Sequence, residues 1–348
     1  MTDNTWPTVD TELIDDVTLY SAKLIIPVTG PVIIDGAVAI HGDRVVHVGK
    51  RRWVLKALKQ EMTAHGTIHE RHWDGVLTPG LINAHTHLQY SGMVQVGQGT
   101  YDRFRAWELA FNEVYAEAQK TQPWKQWAED GARQMVESGT TAAADIVTDL
   151  DAAGALASQG MHGIAYWEVM GWHNAEWMEK GRTELIRQLR RMNEEQLPNL
   201  GISPHAPYTL ESEPFVDLPD IARQLNMRLH IHLAETPLEA GTYPPVLTTY
   251  SAADWSDHDW ESYRQLKEVG KGASAIQFVD QLGSLGPDVH IEHGVWANGE
   301  DRRILRQRGV GVALCPRSNR ITNTGKDVPV REYLEEGNLV SVGRSEER

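Results

Sequence analysis

Histidines at short, regular spacing are the residues of this chain best suited to metal chemistry. In Thr78-Pro79-Gly80-Leu81-Ile82-Asn83-Ala84-His85-Thr86-His87-Leu88 an apolar run ends in His-x-His. Alternate side chains of a strand share a face. His85 and His87 would therefore project together, as two ligands of one ion must. The Pro79-Gly80 pair sets where that strand can begin. Taken alone, such a pair reads as chance. Further candidates follow at the ends of later apolar runs: His205, His232 with Glu235 three residues on, and His293. A separation of three cannot keep His232 and Glu235 on one strand face, so the chain is expected to bend near Ala234. That bend would carry Glu235 over the site, where a carboxylate can shuttle protons; the plain alternative is a capping or surface glutamate. His230 shares a face with His232 but lies deeper. His290 opens its run and is expected in the core or on the outer face, with His293 in the pocket.

These residues need a frame that brings strand ends together. Residues 17–20, 24–26, 37–41 and 44–48 read as strands, with Gly42-Asp43 as a hairpin signal, and 66–77 adds an extended piece. Residues 1–77 are thus expected to be a small β unit with few helix signals, Lys50-Arg51-Arg52 being a solvated turn. From residue 78 the pattern alternates. A helical region at 103–138 precedes a strand at 139–147, and a short helix at 150–159 precedes a strand at 163–170. A charged helix at 174–196 leads to a strand at 200–205, and a helix at 213–226 leads to one at 228–234. A long connection (236–258) and a helix follow, then strands at 289–293, 310–315 and 338–342. Repeated βα units of about 30 residues predict a (β/α)8 barrel over 78–348, whose sites lie at the C-terminal ends of its strands. The runner-up, an open doubly wound sheet, usually carries a Gly-rich phosphate loop after its first strand, and none is present.

Composition narrows the function. The 348 residues are 41% apolar and 23% charged, ordinary for a globular protein. The formal net charge of −15 opposes a nucleic-acid backbone. No apolar run is long enough to span a bilayer, and residues 1–10 lack the pattern of a signal peptide. A single cysteine, Cys315, excludes an internal disulfide and Cys-rich zinc modules, and fits a reducing cytoplasm. Of twelve tryptophans, most are expected in the core or barrel rim. The expected partner is a small-molecule substrate, not nucleic acid or membrane; a homo-oligomer is compatible.

The ordered set Pro79-Gly-Leu-Ile-Asn-Ala-His-Thr-His-Leu88, Ser203-Pro-His-Ala-Pro-Tyr208, His232-Leu-Ala-Glu235, Glu292-His-Gly-Val295 and Cys315-Pro-Arg-Ser-Asn319 resembles the amidohydrolase superfamily. The resemblance is to the branch of cytosine, guanine, methylthioadenosine/S-adenosylhomocysteine and aminodeoxyfutalosine deaminases and triazine hydrolases. It implies an α/β fold, a TIM-type barrel with a small N-terminal β-sandwich portion. It implies His85, His87 and His232 as metal ligands, Glu235 as proton shuttle and His293 as contact to the substrate or attacking water. His205 would line the substrate pocket, and Trp107 and Arg317 join the candidate substrate-binding residues. Ser318 and Asn319 are expected to be structural. Residues 200–205 contain no lysine to bridge two metals, which favours one divalent ion, zinc, with iron the alternative. The implied reaction is hydrolytic deamination of an aminated purine or purine nucleoside. A triazine-type chlorohydrolase or other C–N hydrolase, and an inactive paralogue that binds metal or ligand only, remain as alternatives.

One stretch departs from the family pattern. The branch ends its eighth strand in Val-Gly-Thr-Asp, whereas this chain reads Val342-Gly343-Arg344-Ser345-Glu346-Glu347-Arg348. The expectation is a barrel lacking its last helix and the strands that would complete the N-terminal sandwich, with impaired turnover. A shortened chain, an interrupted gene or a frameshift would each produce this ending.

Overall fold

The computed structural model describes residues 13–194, 199–241 and 270–344. Two compact units divide after Gly80.

In the first unit a four-stranded sheet runs in the order β3-β2-β1-β4. Strands β1 (Ile14–Ile25), β2 (Ile33–His41) and β3 (Arg44–Lys50) form an antiparallel meander, and β4 (Met62–Leu77) lies parallel to β1. The β2–β3 hairpin turns at Gly42, whose φ of 58° suits glycine. Between β3 and β4 stands a helix, Arg51–Glu61, where the sequence suggested only a basic turn. Val54 and Leu58, four residues apart, share a helix face and bury it against Val17, Leu19, Ala37 and Ala39. Arg51 Nε and Nη2 donate to Glu70 on β4 at 2.6 and 2.5 Å, and Ser21 Oγ donates to the same carboxylate at 2.6 Å.

The second unit is a nearly closed barrel of eight parallel strands. They are β5 (Leu81–Thr86), β6 (Thr140–Val147), β7 (His162–Val169), β8 (Leu200–Pro204), β9 (Arg228–Leu233), β10 (Val289–His293), β11 (Gly311–Leu314) and β12 (Leu339–Val342), in sequence order around the sheet. Arg344 N donates to His85 O at 3.0 Å, bringing the last strand back to the first. β9 shows how such a strand is built: Leu229, Ile231 and Leu233 are fully buried, while His230 and His232 occupy the alternate face.

The helices that cover the strands begin and end for local reasons. Gly299–Arg308 is capped by Asn298, whose Oδ1 accepts from Glu300 N and Asp301 N, and stops at Gly309 with φ 71°. The expected helix at 103–138 is two, Phe104–Ala118 and Trp124–Glu137, because Gln122 takes φ 49° and Pro123 follows. The helix expected at 174–196 runs through a five-residue π turn, Trp177–Gly181, into Arg182–Glu194. Its last expected positions, and most of the connection at 236–258, lie outside the described residues. No helix among the described residues is long and apolar enough to cross a membrane.

Candidate metal centre and substrate cavity

Every strand-end candidate belongs to the second unit, and most converge at the C-terminal mouth of the barrel. His85 is fully buried, and His87, just beyond β5, is 5% exposed. The His85 ring centroid lies 5.0 Å from those of His87 and His232 and 5.7 Å from that of His293. Donor atoms of His85, His232 and His293 fall within 4.8 Å of one another. His87 joins no such group of three among the described residues; its ring stacks on Tyr90 at 5.6 Å.

The bend after β9 is real and has a cause. Ala234 adopts φ 55°. The backbone N–H groups of Ala234, Glu235 and Thr236 donate to the buried Glu239 carboxylate at 2.8, 2.9 and 2.9 Å. Glu235 is thereby turned inward, with its Oε1 3.5 Å from His293 Nε2. His293 itself adopts φ 67°, so strand alternation fails at its position. Both Glu292 and His293 enter the interior, although consecutive strand residues normally face opposite ways. Asn319 Oδ1 accepts from His293 Nδ1 at 2.8 Å, which gives Asn319 a contact to the site beyond packing.

Beneath these groups lies a carboxylate to which the sequence assigned no role. Glu292 is fully buried and stands level with His232 in the β9–β10 register. Its Oε1 is 2.8 Å from His232 Nδ1 and 3.9 Å from His85 Nδ1, and its Oε2 is 2.9 Å from His230 Nε2. His290, two residues earlier, packs its ring 6.0 Å from that of His230, on the inner rather than the outer face. Glu168, at the end of β7, approaches His232 Nδ1 at 3.9 Å and groups with His205 and His232. The rule that singled out strand-end histidines would also have found Glu168 and Glu292 had it been extended to carboxylates.

Burial governs the charges. It holds His85, His87 and His205 well below the usual imidazole range, so these rings are neutral and open to a cation. It lowers His293 to about 4 and pushes Glu168 up to about 7. Burial also acts to lower His232, but Glu292, with Glu168 and Glu235, outweighs it and raises the group to about 10. Burial would raise Glu292; the surrounding His230, His232 and His85 instead hold it well below the usual carboxylate range. His85 Nε2, His230 Nδ1 and Glu168 Oε1 are buried without a hydrogen bond. Open imidazole nitrogens beside a carboxylate form a donor set suited to zinc or iron, so the residues present fit a divalent ion.

Above the cluster a cavity of about 260 Å³ opens. Tyr90, Trp107 and Phe111 form an aromatic wall, while Glu235, His205 and His293 face it from the barrel. His205 Nδ1 is held 2.9 Å from Thr209 Oγ1. Trp107 is 9% exposed and lines the cavity. Arg317 stands apart: it is exposed on the helix Pro316–Ile321, whose Ser318 lines the cavity in its place. Arg344 N donates to Asn83 Oδ1 at 3.0 Å, while Ser345 and Glu346 lie outside the described residues.

Residues 76–243 match the model of the amidohydrolase family. That stretch, a little under half of the chain, is similar to the amidohydrolase family. Over 331 residues it is 28% identical to a 5-methylthioadenosine/S-adenosylhomocysteine deaminase of Moorella thermoacetica, covering 92% of this chain and 67% of that protein. It is 29% identical over 274 residues to a 5'-deoxyadenosine deaminase of Methanopyrus kandleri, covering 77% and 56%. The chain thus spans between about half and two thirds of the length of such relatives. Among solved structures, an adenosine deaminase from Xanthomonas campestris with bound zinc superposes with a TM-score of 0.71 at 21% identity, covering 96% of this chain and 70% of that one. The stretch that matches the family model holds β5 to β9, with His85, His87, His205, His232 and Glu235.

Proposed function

We propose that this chain is a metal-dependent hydrolytic deaminase of an adenosine-type substrate, with one zinc ion held by His85, His87 and His232. The observation that carries the reading is Glu235 facing His293 at 3.5 Å beside the imidazole cluster, at the floor of an aromatic cavity. A bound divalent ion supplies, at neutral pH, an activated water as nucleophile. The protein's own groups do the rest. Glu235 is placed to take a proton and to pass one to a ring nitrogen as ammonia leaves. His293 is oriented by Asn319, so its Nε2 faces the reacting region. Tyr90, Trp107 and Phe111 offer π faces to a planar base, and Glu108, Asn112 and Thr148 offer polar contacts at the rim. The printed names of the relatives favour an adenosine-type substrate. The charge of −15 argues against nucleic acid as that substrate. The lone, buried Cys315 suits a reducing compartment, and the cytoplasm is the location we propose.

Ammonia release from zinc-loaded protein, measured over adenosine, 5'-deoxyadenosine and 5-methylthioadenosine, tests the proposal. Turnover of at least one is expected, with Glu235→Gln slower by roughly 10²- to 10⁴-fold. Zinc binding without ammonia from any of them would leave a metal-binding protein rather than an adenosine-type deaminase.

A further inference from the structure

The proposed reaction leaves one corner of the cavity without a role. Glu168, near the end of β7, lines the cavity with its side chain only 4% exposed. Its Oε1 makes no hydrogen bond, and its ionic neighbour, His232 Nδ1, stands beyond hydrogen-bond reach at 3.9 Å. His232 gives its closer contact, 2.8 Å, to Glu292, so Glu168 is left over. A buried polar atom of this kind calls for a partner. In either protonation state a carboxyl retains an acceptor oxygen. His205 adds a second acceptor. The Thr209 hydroxyl donates to Ala206 O at 3.2 Å, so its lone pairs accept from His205 Nδ1 at 2.9 Å. That contact fixes the proton of the neutral ring on Nδ1 and leaves Nε2 as an acceptor. Ring nitrogens of His205 and His232 and a carboxylate oxygen of Glu168 lie within 4.8 Å of one another. The backbone sets the pair, since His205 N donates to Val169 O, next to Glu168, at 2.9 Å.

We infer that Glu168 and His205 hold the amine that the reaction expels. This rests on the deaminase reading proposed above. In that reaction water adds to the amine-bearing carbon and a C–O bond forms. The C–N bond breaks with its electron pair going to nitrogen, which takes a proton from the water and departs as ammonia. A primary amine carries two N–H donors, and two hydrogen bonds of about 2.9 Å from one nitrogen reach acceptors up to roughly 5 Å apart. An acceptor pair no wider than that suits it. His232, the third member of the group, is a proposed ligand of the ion, so a group bound there lies beside the reacting carbon. The same corner disfavours a halide, which brings no donor and would leave Glu168 unpaired against a growing negative charge. The substrate class so selected is a ring with a primary amine, rather than chlorine, at the reacting carbon.

The test compares kcat/KM for two forms of one nucleoside in full-length, zinc-loaded wild type and Glu168→Leu. The nucleoside is whichever of adenosine, 5'-deoxyadenosine and 5-methylthioadenosine is turned over fastest, set against the same molecule with chlorine in place of the amine. Wild type is expected to prefer the amine, although chloride is the better leaving group. Glu168→Leu should shrink that preference by about tenfold or more, the worth of a hydrogen bond to a charged group, while keeping one zinc per chain. An unchanged ratio would overturn the inference, since a merely structural residue lowers both substrates alike. Loss of zinc from the variant would also overturn it, by making Glu168 a ligand. Should the variant not fold, the wild-type ratio decides, and a preference for the chloro form contradicts the inference. Wild type that turns over neither form would instead defeat the deaminase reading itself.

Discussion

Asn319 holds His293 by a single acceptor, and that contact decides which ring nitrogen faces Glu235. Replacing such an orienting partner typically costs 10- to 100-fold. Asn319→Ala is therefore expected to lower kcat by roughly that factor with little change in KM, read from steady-state ammonia release. His85 and His232 lie in β5 and β9 near their C-terminal ends, where spacing draws attention to them, whereas His87 stands one residue past β5, whose register is irregular between Asn83 and Thr86. A separation of three cannot keep His232 and Glu235 on one strand face, and the φ of 55° at Ala234 is the bend that this spacing requires. Glu292 escaped notice because period two lets only one of two consecutive residues face inward. The left-handed φ of His293 lets both do so, and no sequence rule marks a non-glycine residue for that conformation.

At the scale of elements, Glu239 is the part that turns a strand end into a site. Its two oxygens collect three backbone donors, a task no amide can perform because an amide offers one acceptor oxygen. Glu239→Gln should destabilise the protein by on the order of 2 kcal/mol, the worth of a hydrogen bond to a charged group, and should also reduce activity by displacing Glu235. Denaturant melts alongside ammonia release would show both effects. A second element-scale prediction concerns pH. Arg51, with Ser21, holds Glu70 down to about 2, against an unfolded value of about 4.3. The folded-state pKa is depressed, so its stabilisation is present above about pH 4.3 and is lost as pH falls through about 2. Arg51→Gln should flatten that dependence in thermal melts between pH 2 and 5. The helix beginning at Arg51 was hidden from sequence reading by its charge. Only Val54 and Leu58 are buried, too sparse a stripe to outweigh the basic run before them. The barrel strands were plainer, since both faces of β9 to β11 are buried and the runs are nearly unbroken.

The molecule as a whole presents apolar surface where the barrel strands meet. Leu81 and Ile82 on β5 are 63% and 71% exposed, and Leu339 and Val342 on β12 are 63% and 65% exposed. Such a seam favours association. Light scattering should show concentration-dependent self-association that Leu339→Ser with Val342→Ser reduces; a strict monomer at all concentrations would contradict this. Metal and stability should also be linked, because a ligand bound only by the folded state stabilises it. Zinc at 100 times its Kd adds about 2.7 kcal/mol, worth roughly 5–10 °C in Tm. The central claim, one divalent ion held by the strand-end histidines, is tested most directly by elemental analysis of purified wild type beside the His85→Ala, His87→Ala double variant. The account predicts one zinc or iron per wild-type chain and almost none in the variant. Two metals per wild-type chain, or metal retained by the double variant, would contradict it.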